Sequence, residues 1–166
     1  MNSAVAKTAL RSAIDEPAPT ARLRGLQLYA VAALLAVGDA SALPMAEREL
    51  LAPDASLPSE TLPNLRSSLA RGVFGTAGIP ELARLLEAGD AETRRAAATA
   101  LGRSKLRSAA KPLVSGLDDA DFKVALAAVH GLAKITGQLN WAPSDDAFRA
   151  DRRRYVDHWK EWARDQ

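Results

Sequence analysis

The sequence contains no cysteine, and this absence excludes several kinds of chemistry. Without cysteine the chain has no disulfide, no thiolate metal site and no cysteine nucleophile. Aromatic residues make up only 5% of the chain, and valine and isoleucine are scarce, so a β-sheet is not expected. The 22 basic and 20 acidic residues leave a net charge of +2, which is too balanced to indicate nucleic-acid binding by itself.

Long apolar runs are also missing. The most apolar stretch, Leu26–Val37, is shorter than the ~20 residues that are needed to span a bilayer. The first residues, Met1–Ile14, lack the apolar core of a signal peptide, so we expect a cytoplasmic protein without membrane association. What the sequence does contain is alanine and leucine, the best helix formers. Its 166 residues suffice for one domain with a real core.

Known catalytic motifs are absent as well. The sequence has no metalloprotease motif, P-loop or dinucleotide-binding fingerprint. The glycine-rich segment Gly72–Gly78 follows a predicted helix and lacks a lysine, so we interpret it as a turn between helices. His130 has no serine or acid in register with it, and we interpret it as a helix-surface or packing residue. His158 follows Asp157, and we interpret it as an ordinary residue of the capping helix. The sequence thus predicts no enzyme activity, no metal site and no cofactor.

The chain repeats itself at intervals that suit helical hairpins. Pro80 and Pro112 lie 32 residues apart in equivalent places. Asp90–Gly102 matches Asp121–Ala133 at an offset of 31 residues, and a weaker copy places Pro44 36 residues before Pro80. Periods of this length are typical of helical-repeat proteins, in which each hairpin buries its apolar face on its neighbours.

Helix boundaries are marked by proline, glycine and aspartate. The three prolines lie where helices are predicted to begin, because their fixed φ suits the first turn and their missing N–H costs nothing there. Between the boundaries, apolar residues recur every three or four positions, which is the spacing of an amphipathic helix. Three glycines are predicted to end helices, and they are Gly38, Gly75 and Gly89. Two aspartates are predicted to cap the helices that follow, and they are Asp39 and Asp90.

These signals predict a single all-α domain. Residues 1–19 form an N-terminal helix and loop, residues 20–137 about three and a half repeats, and residues 138–166 a closing segment. Three helical hairpins are followed by two more helices. One corresponds to the first helix of a hairpin and covers Asp121–Thr136, and the last covers Ser144–Ala163. The hairpins pair Thr20–Val37 with Leu43–Leu51, Glu60–Val73 with Ile79–Ala88, and Ala91–Gly102 with Lys105–Leu117.

The repeated segments resemble a known family. Asp90–Gly102 resembles the first helix of a HEAT repeat of the short bacterial type related to phycobilisome lyases, and Pro80–Leu86 resembles the second helix. The resemblance is closest over Gly78–Gly137. It implies an α-solenoid, a right-handed superhelix of stacked antiparallel hairpins whose second helices line the concave side. The valine–arginine pair usual in the first helix is Thr93–Arg94 and then Val124–Ala125, which breaks an arginine ladder that some members carry.

The resemblance also implies a binding surface on the second helices. The candidate binding residues are the exposed positions there, Glu81, Arg84, Glu87, Arg107, Lys111 and Ser115. Their charge changes from mixed to basic along the predicted groove, and charge complementarity gives such a surface its specificity. The sequence therefore predicts a monomeric, non-enzymatic scaffold or adaptor that binds a protein partner on its concave surface.

Two other functions stay open on the sequence. The family analogy suggests a bilin lyase-like or chaperone-like role, for which the chain has neither a cysteine nor a converging acid–base set. The basic stretch of residues 94–111 suggests nucleic-acid binding, although no aromatic residue interleaves it to stack on bases. Its cationic side chains are Arg94, Arg95, Arg103, Lys105, Arg107 and Lys111.

Large aromatic residues gather near the end of the chain, which contains all three tryptophans. The last repeat of a solenoid exposes an apolar flank, and aromatic side chains cover much area per residue. We therefore predict a structural cap on the helix Asp121–Thr136. On the single predicted helix Ser144–Ala163, the capping residues share one face and are Phe148, Tyr155, Trp159 and Trp162.

Overall fold

Ten α-helices make up most of the chain that the computed structural model describes, which is residues 3–52, 55–57 and 62–166. No strand occurs in these residues, so the predicted all-α fold is confirmed. In chain order the helices are α1 (Ser3–Asp15), α2 (Ala21–Ala36), α3 (Leu43–Leu51), α4 (Leu62–Ala77), α5 (Ile79–Ala88), α6 (Ala91–Ser104), α7 (Ala110–Ser115), α8 (Phe122–Thr136), α9 (Asp145–Ala150) and α10 (Arg152–Arg164).

The helices stack in two layers. The first layer contains α2, α4, α6 and α8, each of which packs against the next, and α1 packs on α2. The second layer contains α3, α5, α7 and α10, which contact one another in that order. The last helix, α10, contacts α7 and α8, just as α7 contacts α5 and α6. This arrangement is the predicted α-solenoid, in which every hairpin buries its apolar side against its neighbours.

Most helix boundaries follow the predicted signals. Asp39 and Asp90 are N-caps, since each carboxylate accepts a hydrogen bond from a backbone N–H two or three residues further on. Pro44 and Pro80 lie in the first turns of α3 and α5. Gly38 follows α2 with a φ of 77°, a left-handed conformation that glycine adopts without strain.

The glycine-rich segment differs from the prediction. Helix α4 continues to Ala77 instead of ending near Val73, so Gly75 lies inside the helix and does not end it. The turn is made by Gly78, which has a φ of 77°. A glycine costs a helix about 1 kcal/mol, and the packing of α4 against α2 and α6 offsets this cost. The predicted start of this helix at Glu60 lies outside the described residues.

Two predicted helices are broken. Lys105 does not begin a helix, because it has a left-handed φ of 57° and caps the end of α6. The segment up to Leu117 consists of a 3₁₀ turn, α7 and a second 3₁₀ turn. The predicted last helix, Ser144–Ala163, is divided at Asp151, which has a φ of −149° and caps α10 with its carboxylate. The four aromatic residues therefore do not share one helix, because Phe148 belongs to α9 and the others to α10.

Helices α6 and α8 approach each other closely at two glycines. A Cβ atom added to Gly102 would lie 2.5 Å from the Cα atom of Gly131. A Cβ atom added to Gly131 would lie 2.8 Å from a methyl carbon of Leu113. The absence of both side chains lets the two backbones meet, and this brings neighbouring repeats into register.

Gly102→Ala is expected to destabilise the protein by about 1–3 kcal/mol, because its methyl group would press on the backbone of Gly131. Gly75→Ala is the matched control, since no atom lies within 4 Å of a Cβ atom added there. That change should be neutral or stabilise helix α4 by up to about 1 kcal/mol. Urea unfolding followed by circular dichroism measures both, and equal effects would contradict the close packing of α6 on α8.

Arginine–aspartate pairs join successive repeats. Arg66 of α4 contacts Asp90 at 3.1 Å, and Arg94 of α6 donates hydrogen bonds of 2.6 and 2.8 Å to the two carboxylate oxygens of Asp119. In both pairs the aspartate precedes the next first-layer helix, so the pair crosses from one repeat to the following one. Ala125 occupies the corresponding place in α8, and the series ends there, as the sequence led us to expect.

Asp119→Asn should reduce stability at neutral pH by about 1–3 kcal/mol, because Arg94 loses its anionic partner where both side chains are largely shielded from water. The hydrogen bonds from Arg94 hold the pKa of Asp119 below its ordinary value of 3.8. At pH values near these two pKa values, the unfolded chain therefore binds more protons than the folded chain does. The stabilisation is present above the unfolded-state pKa and is lost as the pH falls through the folded-state pKa.

Urea unfolding at neutral pH and below pH 3.8 tests this prediction. The difference between wild type and Asp119→Asn should shrink in acid. Asp118→Asn is the matched control, because Asp118 is exposed and its ion pair with Lys160 is a surface contact. A difference for Asp119→Asn that stays constant across this pH range would show that the ion pair is not its cause.

Candidate interaction surface

The six candidate binding residues lie on α5, on α7 or in the 3₁₀ turn that leads into α7. Five of them are exposed, and Glu81 is partly buried. Because the second-layer helices contact one another in order, these residues follow one row of helices. We call the solvent-accessible side of this row the second-helix face, and we define it by Glu47, Glu81, Arg84, Glu87, Arg107, Lys111, Ser115 and Trp162.

At the α3–α5 end, the second-helix face contains a small charge cluster. Arg84 forms an ion pair with Glu81 and lies 3.6 Å from Glu47 of α3. The hydrogen bond with Glu81 raises the pKa of Arg84, and burial, followed by the charge of Glu81, raises the pKa of Glu47. Sequence reasoning missed Glu47, although it lies on a predicted second helix, because the candidates were drawn from the two closely matching repeats.

At the other end, α7 and α10 enclose a groove of about 490 Å³. It brings together the predicted residues Arg107, Lys111 and Ser115 with the side chain of Trp162. Ala110 and Val114 of α7 form its apolar floor. The sequence placed Trp162 only in the cap, because nothing in the helical period indicates that α10 lies beside α7.

Polar contacts join α10 and the residue that ends the sequence to the turns on either side of α7. Near the start of α10, Arg152 donates hydrogen bonds of 2.6 and 3.1 Å to two carbonyl oxygens in the turn after α7. Further along, Lys160 forms an ion pair of 2.7 Å with Asp118. At the end, the side chain of Arg107 donates a hydrogen bond to Gln166. These contacts support the packing of α10 beside α7.

Glu87 is separate from both of these places. It lines a shallower groove of about 280 Å³ together with Ser115, so Ser115 borders both grooves. The same groove reaches the ion pair of Arg94 with Asp119, whose charges are already matched. The structure therefore divides the six predicted residues among the charge cluster, the shallow groove and the α7–α10 groove.

The predicted capping residues differ in how deeply they are buried. Phe148 and Trp159 are 0% exposed, whereas Tyr155 and Trp162 are partly buried. The ring of Phe148 lies 5.4 Å from that of Phe122 at the start of α8. Trp159 packs edge-on to Trp162, with 5.9 Å between ring centroids. The aromatic residues of α9 and α10 therefore reach α8 as well as one another.

Trp141 is a member of this aromatic cluster that the sequence did not assign to it. Its ring stacks on His158, with 3.6 Å between centroids and 6° between planes. Burial lowers the pKa of His158, and its Nε2 lies 3.2 Å from Gln138. The Nε2 of His130 lies 2.7 Å from the carbonyl oxygen of Pro143. Trp141 lies in a 3₁₀ turn, where helical periodicity gives no signal.

The basic stretch of residues 94–111 does not form one surface. Arg94 pairs with Asp119, and Arg95 pairs with Glu92 on the same helix, so these two charges are matched. The remaining four cations lie in the last turn of α6, in the segment that follows it or on α7, and all four side chains are exposed; they are Arg103, Lys105, Arg107 and Lys111.

Helix α2 carries a second exposed surface in the first layer. Leu23, Leu26 and Tyr29 are 45%, 58% and 43% exposed. A groove of about 660 Å³ runs between α2 and α4, with a floor mainly of alanine and glycine. Its one cationic side chain, Arg71, donates hydrogen bonds within its own helix. The residues that line this groove include a single charged side chain, that of Arg71.

Two other kinds of site are absent from the residues that the structure describes. No group of three or more histidine, aspartate or glutamate side chains is placed to hold a metal ion in these ranges. Among the described helices, none combines the length and the apolar character that crossing a bilayer requires.

Two layers of paired antiparallel helices define an α-solenoid of helical repeats. The family model of HEAT repeats matches residues 77–155, which run from the end of α4 into α10. This part of the chain belongs to the HEAT-repeat family, as its resemblance predicted. HEAT repeats are in general protein-interaction scaffolds. No curated protein and no solved structure matches the chain.

Proposed function

We propose that this protein is a non-enzymatic scaffold or adaptor that binds a protein partner on the second-helix face, the concave side of the solenoid. The observation that carries this proposal is the α7–α10 groove, where exposed polar and charged side chains surround an apolar floor. Protein interfaces use the same arrangement, because an apolar centre supplies affinity and a polar rim supplies specificity. The general role of HEAT repeats supports it.

Charges of both signs favour a protein partner over nucleic acid. Towards α3 and α5 the second-helix face contains three carboxylates, those of Glu47, Glu81 and Glu87. These would repel a phosphate backbone, whose binding depends on neutralisation by cations. Towards α10 the face is basic, with Arg107 and Lys111. A protein surface can match both signs along one interface, whereas nucleic acid can match only one.

We further propose that residues 138–166 are a structural cap and that the scaffold is monomeric. A solenoid must cover the apolar flank of its last repeat. Full burial of Phe148 and Trp159, with Tyr155 and Trp162 beside them, supports this role because these residues cover α8. A covered flank leaves less apolar surface there for a second copy.

The proposed function is tested by capturing partners from a lysate of the producing cells with the full-length chain as bait. Ser115→Arg would obstruct both grooves, and Glu87→Lys would reverse a charge on the shallow one. Lys123→Glu is the matched control, because Lys123 is exposed on the first-layer helix α8. We expect the wild type and the control to retain the same specific protein, and both face variants to lose it. Retention by both face variants would refute the proposal.

A further inference from the structure

The cations that line the α7–α10 groove have no carboxylate partner among the residues that the structure describes. Arg107 and Lys111 line the groove, and Arg103 and Lys105 directly precede them in the chain. All four are exposed, and none forms an ion pair with another described residue. The residues that line the groove include no aspartate and no glutamate. Because Arg107 and Lys111 are not matched by a carboxylate of the described residues, an anionic partner in the groove would gain from both.

The same groove has an apolar floor and a fixed aromatic wall. Ala110 and Val114 form the floor, and Trp162 forms the wall. Trp162 is held in place because it packs edge-on to Trp159, which is 0% exposed. A side chain that is already ordered loses little conformational entropy when a ligand packs on it. The volume of about 490 Å³ accommodates a few apolar side chains but not a folded surface.

We propose that the α7–α10 groove binds an acidic segment of the protein partner, with one or two apolar side chains against Trp162 and carboxylates at Arg107 and Lys111. This inference rests on the proposed function and adds the chemical class of the partner. The proposed ligand is a peptide because only a chain with both acidic and apolar side chains uses the whole groove. A nucleic acid would satisfy the cations and leave the apolar floor uncovered, and one tryptophan offers no series of stacking platforms.

Fluorescence anisotropy with the full-length chain tests the proposal. The probe is a fluorescein-labelled peptide in which glutamates alternate with leucine and phenylalanine. A second peptide has lysine in place of every glutamate, a third has glycine in place of every apolar residue, and a single-stranded DNA oligonucleotide represents nucleic acid. We expect the first peptide to bind more tightly than the other three probes.

The Lys111→Glu variant tests whether the peptide binds in the α7–α10 groove. Lys123→Glu is the matched control, because it changes the charge by the same amount. Lys111 is exposed, so its replacement should leave the fold intact, and circular dichroism checks this. We expect Lys111→Glu to weaken binding of the acidic apolar peptide by about tenfold or more and Lys123→Glu by less than about twofold. When the peptide binds, tryptophan emission of the wild type should change. The Trp162→Phe variant should lose most of this change.

Four results would overturn the inference: no binding of the acidic apolar peptide, equal binding of the glycine-substituted peptide, equal loss in both lysine variants, or DNA binding that is tighter and depends on Lys111. The last result would assign the groove to nucleic acid. Failure here can be told apart from failure of the proposed function. If Glu87→Lys abolishes partner capture while the peptide does not bind, only the acidic-segment inference fails.

Discussion

Replacing Trp159 with alanine should lower the free energy of unfolding by about 3–5 kcal/mol, which is a large part of the stability of a protein of this size. Trp159 is 0% exposed, and its loss leaves a cavity where α10 packs on the end of the solenoid. Repeat proteins are stabilised by contacts between neighbours, so the loss should be greatest in α8 and α10 and should fade towards α2.

Trp159→Phe is the matched control for this prediction. It keeps an aromatic ring in the site and removes an indole N–H that has no hydrogen-bond partner among the described residues. Its cost should therefore be below about 1.5 kcal/mol. Urea unfolding measures both variants, and hydrogen exchange locates the loss along the chain. A cost below about 1 kcal/mol for Trp159→Ala would mean that the aromatic segment does not pack on the last repeat.

Leu85→Ala should destabilise the protein by about 2–5 kcal/mol. Leu85 is 0% exposed on α5, a second-layer helix that packs against α4 and α6. The surrounding helices are held by their own neighbours and can close the resulting cavity only in part, so most of the lost contact energy is not recovered. The same unfolding experiment measures the change.

Leu106→Ala is the matched control for Leu85→Ala, because it makes the same substitution at a leucine that is 48% exposed. We expect its effect to stay within about 0.5 kcal/mol, as is usual for surface substitutions. Similar losses at Leu85 and Leu106 would mean that the two layers do not bury the predicted face of α5.

The repeat pattern contained enough information for the architecture. Helix starts are marked by Pro44 and Pro80, and N-caps are formed by Asp39 and Asp90. Each of these residues acts within one turn of the chain, so the local sequence determines these helix boundaries. Their spacing along the chain then implied stacked hairpins. Gly75 shows the limit of such signals, because a glycine can end a helix or be tolerated inside one. Packing against other helices decided that α4 continues, and packing is not visible in a local pattern.

The candidate surface could be predicted only in part. Lys111 and Ser115 were placed on a second helix by the repeat, but their groove depends on α10, which lies about 40–50 residues further along the chain. The sequence predicted one continuous helix over Ser144–Ala163, which gave no indication that its second part turns towards α7. A side-chain cap at Asp151 divides it and lets α10 turn towards α7. Trp141 enters the aromatic cluster from a 3₁₀ turn, where no apolar period exists to reveal it.

Site-specific photo-crosslinking in the producing cells tests the central claim most directly, which is that the second-helix face binds a protein partner. A photoreactive amino acid replaces Lys111 in the α7–α10 groove and, in a separate variant, Tyr29 on the apolar surface of α2. Both positions are exposed and adjoin grooves of comparable size. We predict a discrete protein adduct at position 111 and none at position 29. An adduct at position 29 without one at position 111 would contradict the claim and would assign binding to the first layer.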